Sequence, residues 1–576
     1  MNTEIKMKIM KRYLPIIIII VLLTGCGNPE HSQDTESGEI LYNGIQLSAV
    51  WPPEHMDPAS EEVMPVPYLI NPPEVIPINV GRQLFVDDFL IESTTMKRVY
   101  HRPEKHPSNP VFYPETKFEK EEHHDHKEVT YFGHGGLFYD PDQKHFKMFY
   151  TAGWRGGLAL ATSVDLIHWH RPEMGLYGGN IIIPPGPLFA GGDNAMWLDL
   201  NSADPDQKYK FLSERLVDGH WRRYFDKRED TPTHTAHMSP DGKFWSQGVH
   251  AGRAADYCSF FYNPFRNKWV FSIKQNTVRG RGRFYHEHDD FLKGSRWDDA
   301  VFWVNADKMD TPDPDVMDAP QLYSLNGIAY ESIILGQFYI HLGPHNKVCE
   351  EELFPKMTEI HMGYSRDGFH WHRPDRTPFI GATRKEGDWD RAYLHGTNGV
   401  CLVTRDEIWF PYCGYSGLAS DGSKGMYTGA SIGMAILRRD GFASMEADEN
   451  EETLTTRPVI FDHGVHLFVN TSCEEGALWV EILDEAGNNI PGFSKSIPVS
   501  ANSTIHKIIW EDGGDLTSLQ GKSIQFRFHL RQGKFYSFWV SPEESGASYG
   551  FVGAGGPGYE GVVDTRGNQI TKPGLQ

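Results

Sequence analysis

The stretch His168-Trp-His-Arg-Pro172 occurs again, letter for letter, as His370-Trp-His-Arg-Pro374. Each copy closes a similar run. Leu158–Ser163 and Asp165 come before the first copy, and Glu359–Ser365 and Asp367 come before the second. Such an internal repeat predicts a fold that is assembled from similar units.

Degenerate copies of the same unit occur elsewhere, each with a short apolar strand, a turn, an aromatic strand, a strand of small residues and a polar turn. Five first strands are predicted to begin near Leu137, Met196, Phe260, Ile333 and Val400. Five second strands follow at Lys147–Tyr150, Lys208–Leu212, Lys268–Phe271, Gln337–Ile340 and Glu407–Phe410. Five units predict an all-β chain with a five-bladed β-propeller. The alternative is an ordinary β-sandwich, because short strands between Gly and Pro turns suit both.

Composition supports β structure and narrows the possible partners. The chain has 576 residues, 39% of them hydrophobic, with 57 Gly and 37 Pro. Its formal charge of -22 argues against binding to nucleic acid, which needs a basic surface. A soluble exported protein fits this acidic surface.

The N-terminus has the pattern of an export signal. Lys6, Lys8, Lys11 and Arg12 precede a short apolar run from Leu14 to Leu23, which is too short to span a bilayer stably. The closing Leu23-Thr-Gly-Cys26 resembles a bacterial lipobox, and that resemblance implies cleavage before Cys26 and lipidation of this residue. We therefore expect a lipid-anchored protein of the bacterial cell envelope, periplasmic or surface-exposed. The alternative is a plain secretory signal with an incidental cysteine.

The rest of the chain divides by composition. We predict a lipoprotein signal peptide over residues 1–25, a flexible tether over 26–75, the propeller over 76–450, a C-terminal β-sandwich over 451–545 and a tail over 546–576. The remaining cysteines have no pairable spacing, so a disulfide scaffold or a zinc ribbon is not expected.

Candidate site residues follow from propeller geometry. First strands converge on one axis, so residues at or just before their starts ring a common pocket. The residues at these positions whose side chains can take part in catalysis or binding are His134, Asp193, Asn194, Arg253, Asp256, Glu331 and His395.

Several carboxylates around one pocket suit cleavage of glycosidic bonds. One must be protonated to donate to the leaving oxygen, and another must be ionised to attack or to activate water. We predict Asp193, Asp256 and Glu331 as the catalytic residues, with the roles among them open. Their structural alternative is to cap strand ends or to pair with cations such as Arg253.

The other candidates are assigned to substrate binding. His134 and His395 can hydrogen bond a sugar hydroxyl or act as an acid, and a structural place in a strand-end turn is the alternative. Arg253 can clamp a carboxylate or sulfate on an acidic sugar, or pair with Asp256. Asn194 completes this predicted binding set.

Several features resemble a known group of enzymes. The leader, the pattern Gly136-Leu-Phe-Tyr-Asp-Pro141 with Met148-Phe-Tyr-Thr151, and the Asp193 turn are similar to the five-bladed propeller hydrolases of glycoside hydrolase families 32, 43, 68 and 117. The final sandwich is similar to the module that follows the propeller in family 32. The resemblance implies an Asp nucleophile or base in blade one, an orienting Asp in blade two and a Glu acid in blade three.

Asp193 stands where the resemblance implies the second carboxylate. Asp256 stands near the position where the resemblance implies the Glu acid of blade three, and its side chain is one methylene shorter than that of a glutamate. Blade one departs from the pattern, because Phe132-Gly-His-Gly-Gly136 has no carboxylate. Glu331 can replace it, and so can Asp87 or Asp88, which we rank below Glu331 because their strand is expected to close the ring from outside.

The predicted function is a glycoside hydrolase that removes terminal sugars from plant or algal oligosaccharides, with no cofactor and no metal. The first alternative is a non-catalytic glycan-binding lipoprotein, and a weaker one is a propeller lyase that acts on a uronic acid. The run Glu121–Glu128 has ligand types for a metal, but a solvated loop is favoured. Trp154, Trp197, Trp221 and Trp389 can stack on sugars, although blade packing explains most tryptophans.

Overall fold

The computed structural model describes residues 38–53, 57–186, 189, 193–214 and 233–570. It confirms the all-β prediction, since the helices described are few and short: α1 Pro67–Ile70, α2 Lys117–Lys120, α3 Phe291–Gly294 and α4 Asn346–Glu352. The N-terminal part contributes five short strands, β1 Ile76–Pro77, β2 Gln83–Leu84, β3 Ile91–Thr94, β4 Lys97–Tyr100 and β5 Glu104–Lys105. The signal peptide and Cys26 lie outside the described residues.

The first two repeat units share one nine-stranded sheet. Its strands are β6 Thr130–Asp140, β7 His145–Ala152, β8 Gly157–Ser163, β9 Trp169–His170, β10 Ile181–Ile183, β11 Asn194–Leu198, β12 Tyr209–Glu214, β13 His234–Ser239 and β14 Val249–His250. Each unit is an antiparallel meander, and β6 joins the two by pairing in parallel with β11.

The next three units are separate sheets. The third contains β15 Ser259–Asn263, β16 Lys268–Thr277, β17 Gly280–His288 and β18 Val301–Val304. The fourth contains β19 Gln321–Glu331, β20 Ile333–Gly343 and β21 Met357–Ser365. The fifth contains β22 Ala392–His395, β23 Leu402–Val403, β24 Glu407–Tyr415 and β25 Ala430–Arg438, with β5 from the N-terminal part added at its edge.

These sheets follow one another and return to the start. Strand β19 packs against β15, β22 packs against β21, and β24 and β25 pack against β6. Asn398 joins three first strands, because its side-chain amide donates to the carbonyls of Met196 and Phe260 and its own carbonyl accepts from Leu137 N–H. Asn398 thus holds the first strands β6, β11 and β15 close together.

The repeated pentapeptide is part of a turn that follows a third strand. Asp165 Oδ1 accepts from the backbone N–H of His168 at 2.8 Å, and Asp367 Oδ1 does the same with His370 at 2.8 Å. The described structure contains a further copy, in which Asp241 Oδ1 accepts from Phe244 N–H at 3.0 Å. The shared pattern Ser-Xaa-Asp-Xaa-Xaa-Xaa-Trp is thus a self-bonded turn, which explains its repetition without a role in a site.

A second body is built from the strands β26 Ala443–Ala447, β27 Glu452–Thr456, β28 Val459–Ile460, β29 His466–Ser472, β30 Ala477–Leu483, β31 Asn502–Lys507, β32 Gln525–Arg531 and β33 Gly533–Ser541. The last strand, β34 Phe551–Val552, joins the fourth sheet beside β19. One sheet has the order β31-β29-β33-β26-β4 with β2 beside β33, and the other has the order β3-β27-β32-β30. Phe526 and Phe528 of the second sheet contact Phe535 and Phe538 of the first, so the two sheets share an apolar core.

This arrangement corrects the predicted tether and the predicted start of the propeller. The tether over 26–75 is wrong in its described part, because Leu41, Ile45 and Tyr68 are buried in the second core. The boundary at 76 is also wrong, since β2, β3 and β4 complete the two sheets of the second body. The tail from 546 packs on both bodies, and its strand β34 pairs with β19. In the part of the chain that the structure describes, no helix is long and apolar enough to cross a membrane.

Candidate functional site

A cavity of about 620 Å³ opens where the starts of several first strands meet. We call it the axial cavity. Tyr131 at the start of β6, Asp193 before β11, Asp256 before β15, Tyr323 near the start of β19 and His395 at the end of β22 all line it. In an antiparallel meander the end of the second strand and the start of the third lie at the same edge. Lys274 and Arg281 therefore enter the wall from β16 and β17.

The structure brings together three of the predicted site residues. Asp193, Asp256 and His395 line the axial cavity. Asp193 is 9% exposed, and the side chain of Asp256 is 25% exposed. Both carboxylates are therefore accessible from the cavity while they remain largely shielded from bulk water. The two glycines before Asp193, at positions 191 and 192, lie outside the described residues.

His134 and Asn194 are not among the residues that line the axial cavity. His134 is fully buried, and its Nε2 lies 3.1 Å from the carbonyl of Tyr257. Gly133, His134 and Gly135 all have positive φ, and the register of β6 against β7 shifts across them. This bulge turns His134 toward the packed interior, which corrects its predicted role in substrate binding. Asn194 Nδ2 donates to Thr151 Oγ1 in a similarly buried place.

Arg253 also lies outside the wall of the axial cavity. Its backbone carbonyl accepts a hydrogen bond from Trp297 Nε1 at 3.2 Å. The ammonium that pairs with Asp256 belongs instead to Lys274, whose Nζ lies 2.5 Å from Oδ1 of Asp256. The cation seen beside Asp256 thus comes from the neighbouring strand β16, which the sequence prediction did not name.

Glu331, predicted as a catalytic residue, does not lie at the axial cavity. Ile333 begins the second strand of its unit and not the first, so Glu331 lies at the far end of β19, in the turn that leads to β20. It is 0% exposed, accepts from Arg439 at 2.7 Å and from Ser548 Oγ at 2.8 Å, and does not line the axial cavity. Burial raises its pKa, and the neighbouring Arg439 opposes this. Glu331 thus belongs to a buried ionic network at the end of β19 that is remote from the axial cavity.

Asp87 and Asp88, the other candidates for the missing blade-one carboxylate, do not line the axial cavity either. Asp87 is buried and accepts from Arg366 Nε at 2.8 Å and from its NH2 at 2.8 Å. Asp88 is exposed and pairs with Arg98. Among the described residues of the wall, the third carboxylate is Glu350 of α4, which sequence reasoning missed because it lies in a connection between strands.

Sequence reasoning also missed the cations of the cavity. Arg155, Lys274, Arg281 and Lys356 line it. Burial opposes the charge of Arg155, but Asp193 and Glu214 outweigh this and raise its pKa. Burial lowers the pKa of Lys274, and the adjacent Asp256 opposes the shift. The sequence feature that could have predicted these residues at the cavity is their position near the end of a second strand or the start of a third.

Aromatic side chains form one wall. The rings of Trp154 and Tyr427 are stacked with centroids 3.8 Å apart, and Tyr131 stacks on Trp154 at 5.1 Å. His126 contacts the edge of this stack. Such a flat apolar surface can contact the face of a sugar ring. Trp154 is the one tryptophan of the four named from the sequence that the described structure places in this wall, and Trp221 lies outside the described residues.

His124 and His126 come from the run at 121–128 that was expected to be a solvated loop. Both line the axial cavity. His124 is exposed, as expected for a solvated loop, whereas His126 is partly buried. Burial lowers the pKa of His126 to about 4, which keeps its imidazole neutral near pH 7. In the part of the chain that the structure describes, no group of three or more His, Cys, Asp or Glu side chains is placed to hold a metal ion.

His395 is held by a tyrosine. Its Nδ1 lies 2.5 Å from the hydroxyl of Tyr257, while its Nε2 is buried and has no hydrogen-bond partner among the described residues. Burial, followed by the charge of Lys356, lowers the pKa of His395 well below its ordinary value, so the ring is neutral. Neutral imidazole can offer Nε2 to a sugar hydroxyl as a donor or an acceptor.

Two tyrosines beside these groups have an unusual backbone conformation. Tyr257 has φ of 63° and Tyr393 has φ of 54°, a region that bulky side chains rarely adopt. Both tyrosines line the axial cavity. Such a backbone is costly for a bulky residue, so the surrounding packing must hold both tyrosines in place.

No family model matches this sequence, and no curated protein matches it. Among solved structures, the chain is similar to a thermostable family-43 glycoside hydrolase at 11% identity, covering 55% of this chain and 94% of that one with a TM-score of 0.36. A fructofuranosidase from Schwanniomyces occidentalis matches at 12% identity over 76% and 97%, with a TM-score of 0.34. A glycosyl hydrolase from Bacteroides ovatus matches at 12% identity over 59% and 94%, with a TM-score of 0.34. Likenesses of this size do not by themselves establish an activity.

Proposed function

We propose that the protein is a glycoside hydrolase that removes terminal sugars from plant or algal oligosaccharides, built on a five-bladed β-propeller with a β-sandwich as the second body. The single observation that carries the proposal is that Asp193 and Asp256 open into one cavity beside an aromatic wall. Two carboxyl groups flanking a bound sugar are what glycosidic cleavage requires.

The surroundings of Asp256 indicate which catalytic role this residue takes. Its ion pair with Lys274 favours the ionised carboxylate, which suits the nucleophile or the base. The proton donor is then Asp193 or Glu350, the other carboxyl groups in the described wall. His395 Nε2 and the ring of Trp154 are proposed to position the sugar.

The experiment that tests the function incubates the protein with a panel of plant and algal oligosaccharides and measures reducing ends together with binding. Release of terminal sugars supports a hydrolase. Binding without release would overturn it in favour of a non-catalytic glycan-binding protein. One observation favours that second candidate, since no carboxylate of β6 or β7 lines the described wall of the axial cavity.

A separate prediction concerns the aromatic wall. Replacing Trp154 with Ala should raise KM about fivefold or more, because a stacked ring contributes on the order of 1 kcal/mol to a contact of this kind. The matched control is Trp479→Ala in the second body, remote from the axial cavity. KM is measured on the best substrate of the panel. An unchanged KM for Trp154→Ala would remove this wall from the sugar site.

We also propose that Cys26 carries a lipid anchor in the cell envelope, as its lipobox-like context suggests. Full-length protein should be recovered with membranes, and Cys26→Ala should move it to the soluble fraction. Intact mass of the membrane-bound form should show acylation at Cys26. An unmodified cysteine in wild-type protein would refute the anchor.

A further inference from the structure

Three cationic side chains surround one aromatic ring in the axial cavity. Lys274 Nζ lies 4.4 Å, Lys356 Nζ 5.0 Å and Arg281 Cζ 5.6 Å from the ring centroid of Tyr323. All four residues line the cavity. We call Lys274, Arg281 and Lys356 the cation cluster. Its members come from three places in the chain, β16, β17 and the residue before β21, so only the fold assembles it.

Carboxylates balance only part of this charge. Lys274 pairs with Asp256. Arg281 NH1 donates to the amide oxygen of Gln321 at 2.9 Å, and Lys356 Nζ donates to Asn346 Oδ1 and to the Tyr427 hydroxyl, each at 3.2 Å. Among the described residues, no carboxylate oxygen lies within ion-pair distance of Arg281 or Lys356, so both are held by neutral partners.

The position of Lys356 makes this imbalance costly. The residue is 1% exposed, and its Nζ also lies over the rings of Tyr393 at 4.5 Å and Tyr427 at 5.3 Å. Burial, then the adjacent Arg281 and Lys274, lower its pKa well below the ordinary value. A buried cation without a counter-charge is destabilising, and an anion that binds beside it offsets that cost. In a chain with a formal charge of -22, a local excess of positive charge is also unusual.

We propose that the cation cluster is a subsite for the anionic group, a carboxylate or a sulfate ester, of an acidic sugar unit. The proposal rests on the proposed function and names the substrate class for the same site. Arg281 and Lys356 would bind the anionic oxygens, and the ring of Tyr323 would pack beside them. Lys274 touches both Tyr323 and Asp256, so the anionic group lies next to the carboxylate that the proposed reaction uses.

The test measures binding by calorimetry with matched oligosaccharide pairs. One pair is a uronate-bearing oligosaccharide and the same material after carboxyl reduction, and the other is a sulfated oligosaccharide and its desulfated form. The charged member of at least one pair should bind at least about tenfold tighter, as expected for charge-assisted contacts. The pair that shows the difference identifies carboxylate or sulfate. Equal affinity within both pairs would overturn the proposal.

Variants assign the effect to the cation cluster. Arg281→Gln and Lys356→Met should each lower the affinity for the charged ligand about tenfold. The affinity for the neutral ligand should stay the same. The matched control is Lys347→Met on α4, whose side chain is 75% exposed. Since Lys356 is buried, thermal unfolding is compared for each variant, and the half-exposed Arg281 provides the test if Lys356→Met does not fold. A folded Arg281→Gln with undiminished preference would contradict the proposal.

The outcomes separate this inference from the proposed function. Hydrolysis of neutral and charged members at the same rate and affinity would retain the hydrolase and remove the anionic subsite. Selective binding of the charged member without release of reducing ends would retain the subsite and remove the hydrolase.

Discussion

Asp193→Asn and Asp256→Asn should each lower kcat by roughly 10²–10⁴-fold, the range expected when a positioned acid, base or nucleophile is lost. Both side chains open into the axial cavity, and neither change removes much volume. For Asp256, the loss of charge also leaves Lys274 without its ion-pair partner, so a weaker fold is expected beside the loss of turnover. Release of reducing ends under saturating substrate measures kcat.

Glu350→Gln distinguishes the proton donor. If Glu350 is the donor, its variant should lose activity at neutral pH and keep it on substrates with a good leaving group, which need little protonation. If Asp193 is the donor, Asp193→Asn should show that pattern instead. The matched control is Asp298→Asn, an exposed aspartate outside the cavity wall. Wild-type kcat in both Asp193→Asn and Asp256→Asn would refute the proposed site.

Glu331→Gln should lower the free energy of unfolding by about 3 kcal/mol or more while kcat stays near wild type, because one partner of a buried ionic network is removed. Glu331 Oε1 accepts from Arg439, and Oε2 accepts from Ser548 and from the backbone N–H of Arg82. An amide nitrogen in place of either oxygen would face a donor. Denaturant unfolding measures the stability, and the oligosaccharide assay measures kcat.

Arg439→Met provides the partner variant. Arg439 also donates to Asp564 Oδ2 at 2.9 Å, so its loss should be destabilising in the same range. The double variant Glu331→Gln with Arg439→Met should cost less than the two single changes together, since the residues act as a pair. A Glu331→Gln protein that keeps full stability but loses turnover would restore Glu331 as a catalytic residue and contradict its assignment to the network.

The sequence was sufficient for the local features. Alternation and turn residues predicted strands, and the repeated pentapeptide predicted repeated units whose first strands converge. That geometry predicts Asp193, Asp256 and His395 near one axis, because each precedes or belongs to a first strand, and all three line the axial cavity. The third copy of the turn, at Ser239 and Asp241, is less evident in the sequence, since Phe244 replaces the His of the other copies.

The errors arose where a strand had to be assigned to its place in a unit. Taking Ile333 as the start of a first strand placed Glu331 at the cavity, whereas it lies in the turn at the opposite end. Alternation of apolar and polar residues is the same along a first and a second strand, so it does not tell which end of a strand faces the axis. His134 also departs from the prediction, because it lies in an irregular part of β6 and is buried beside Tyr257.

By itself, the sequence determined the all-β character, the repetition and two acidic residues of the candidate site, since these depend on local periodicity and on order along the chain. Only the tertiary structure decided the cation cluster, the aromatic wall and the second body. Lys274 and Arg281, from the hairpin β16–β17, meet Tyr323 and Lys356 of the next sheet because the two sheets pack against each other. Likewise β2, β3 and β4 join strands more than three hundred residues later in the chain. Such contacts depend on how the sheets close around a shared core, which no local pattern of residues specifies.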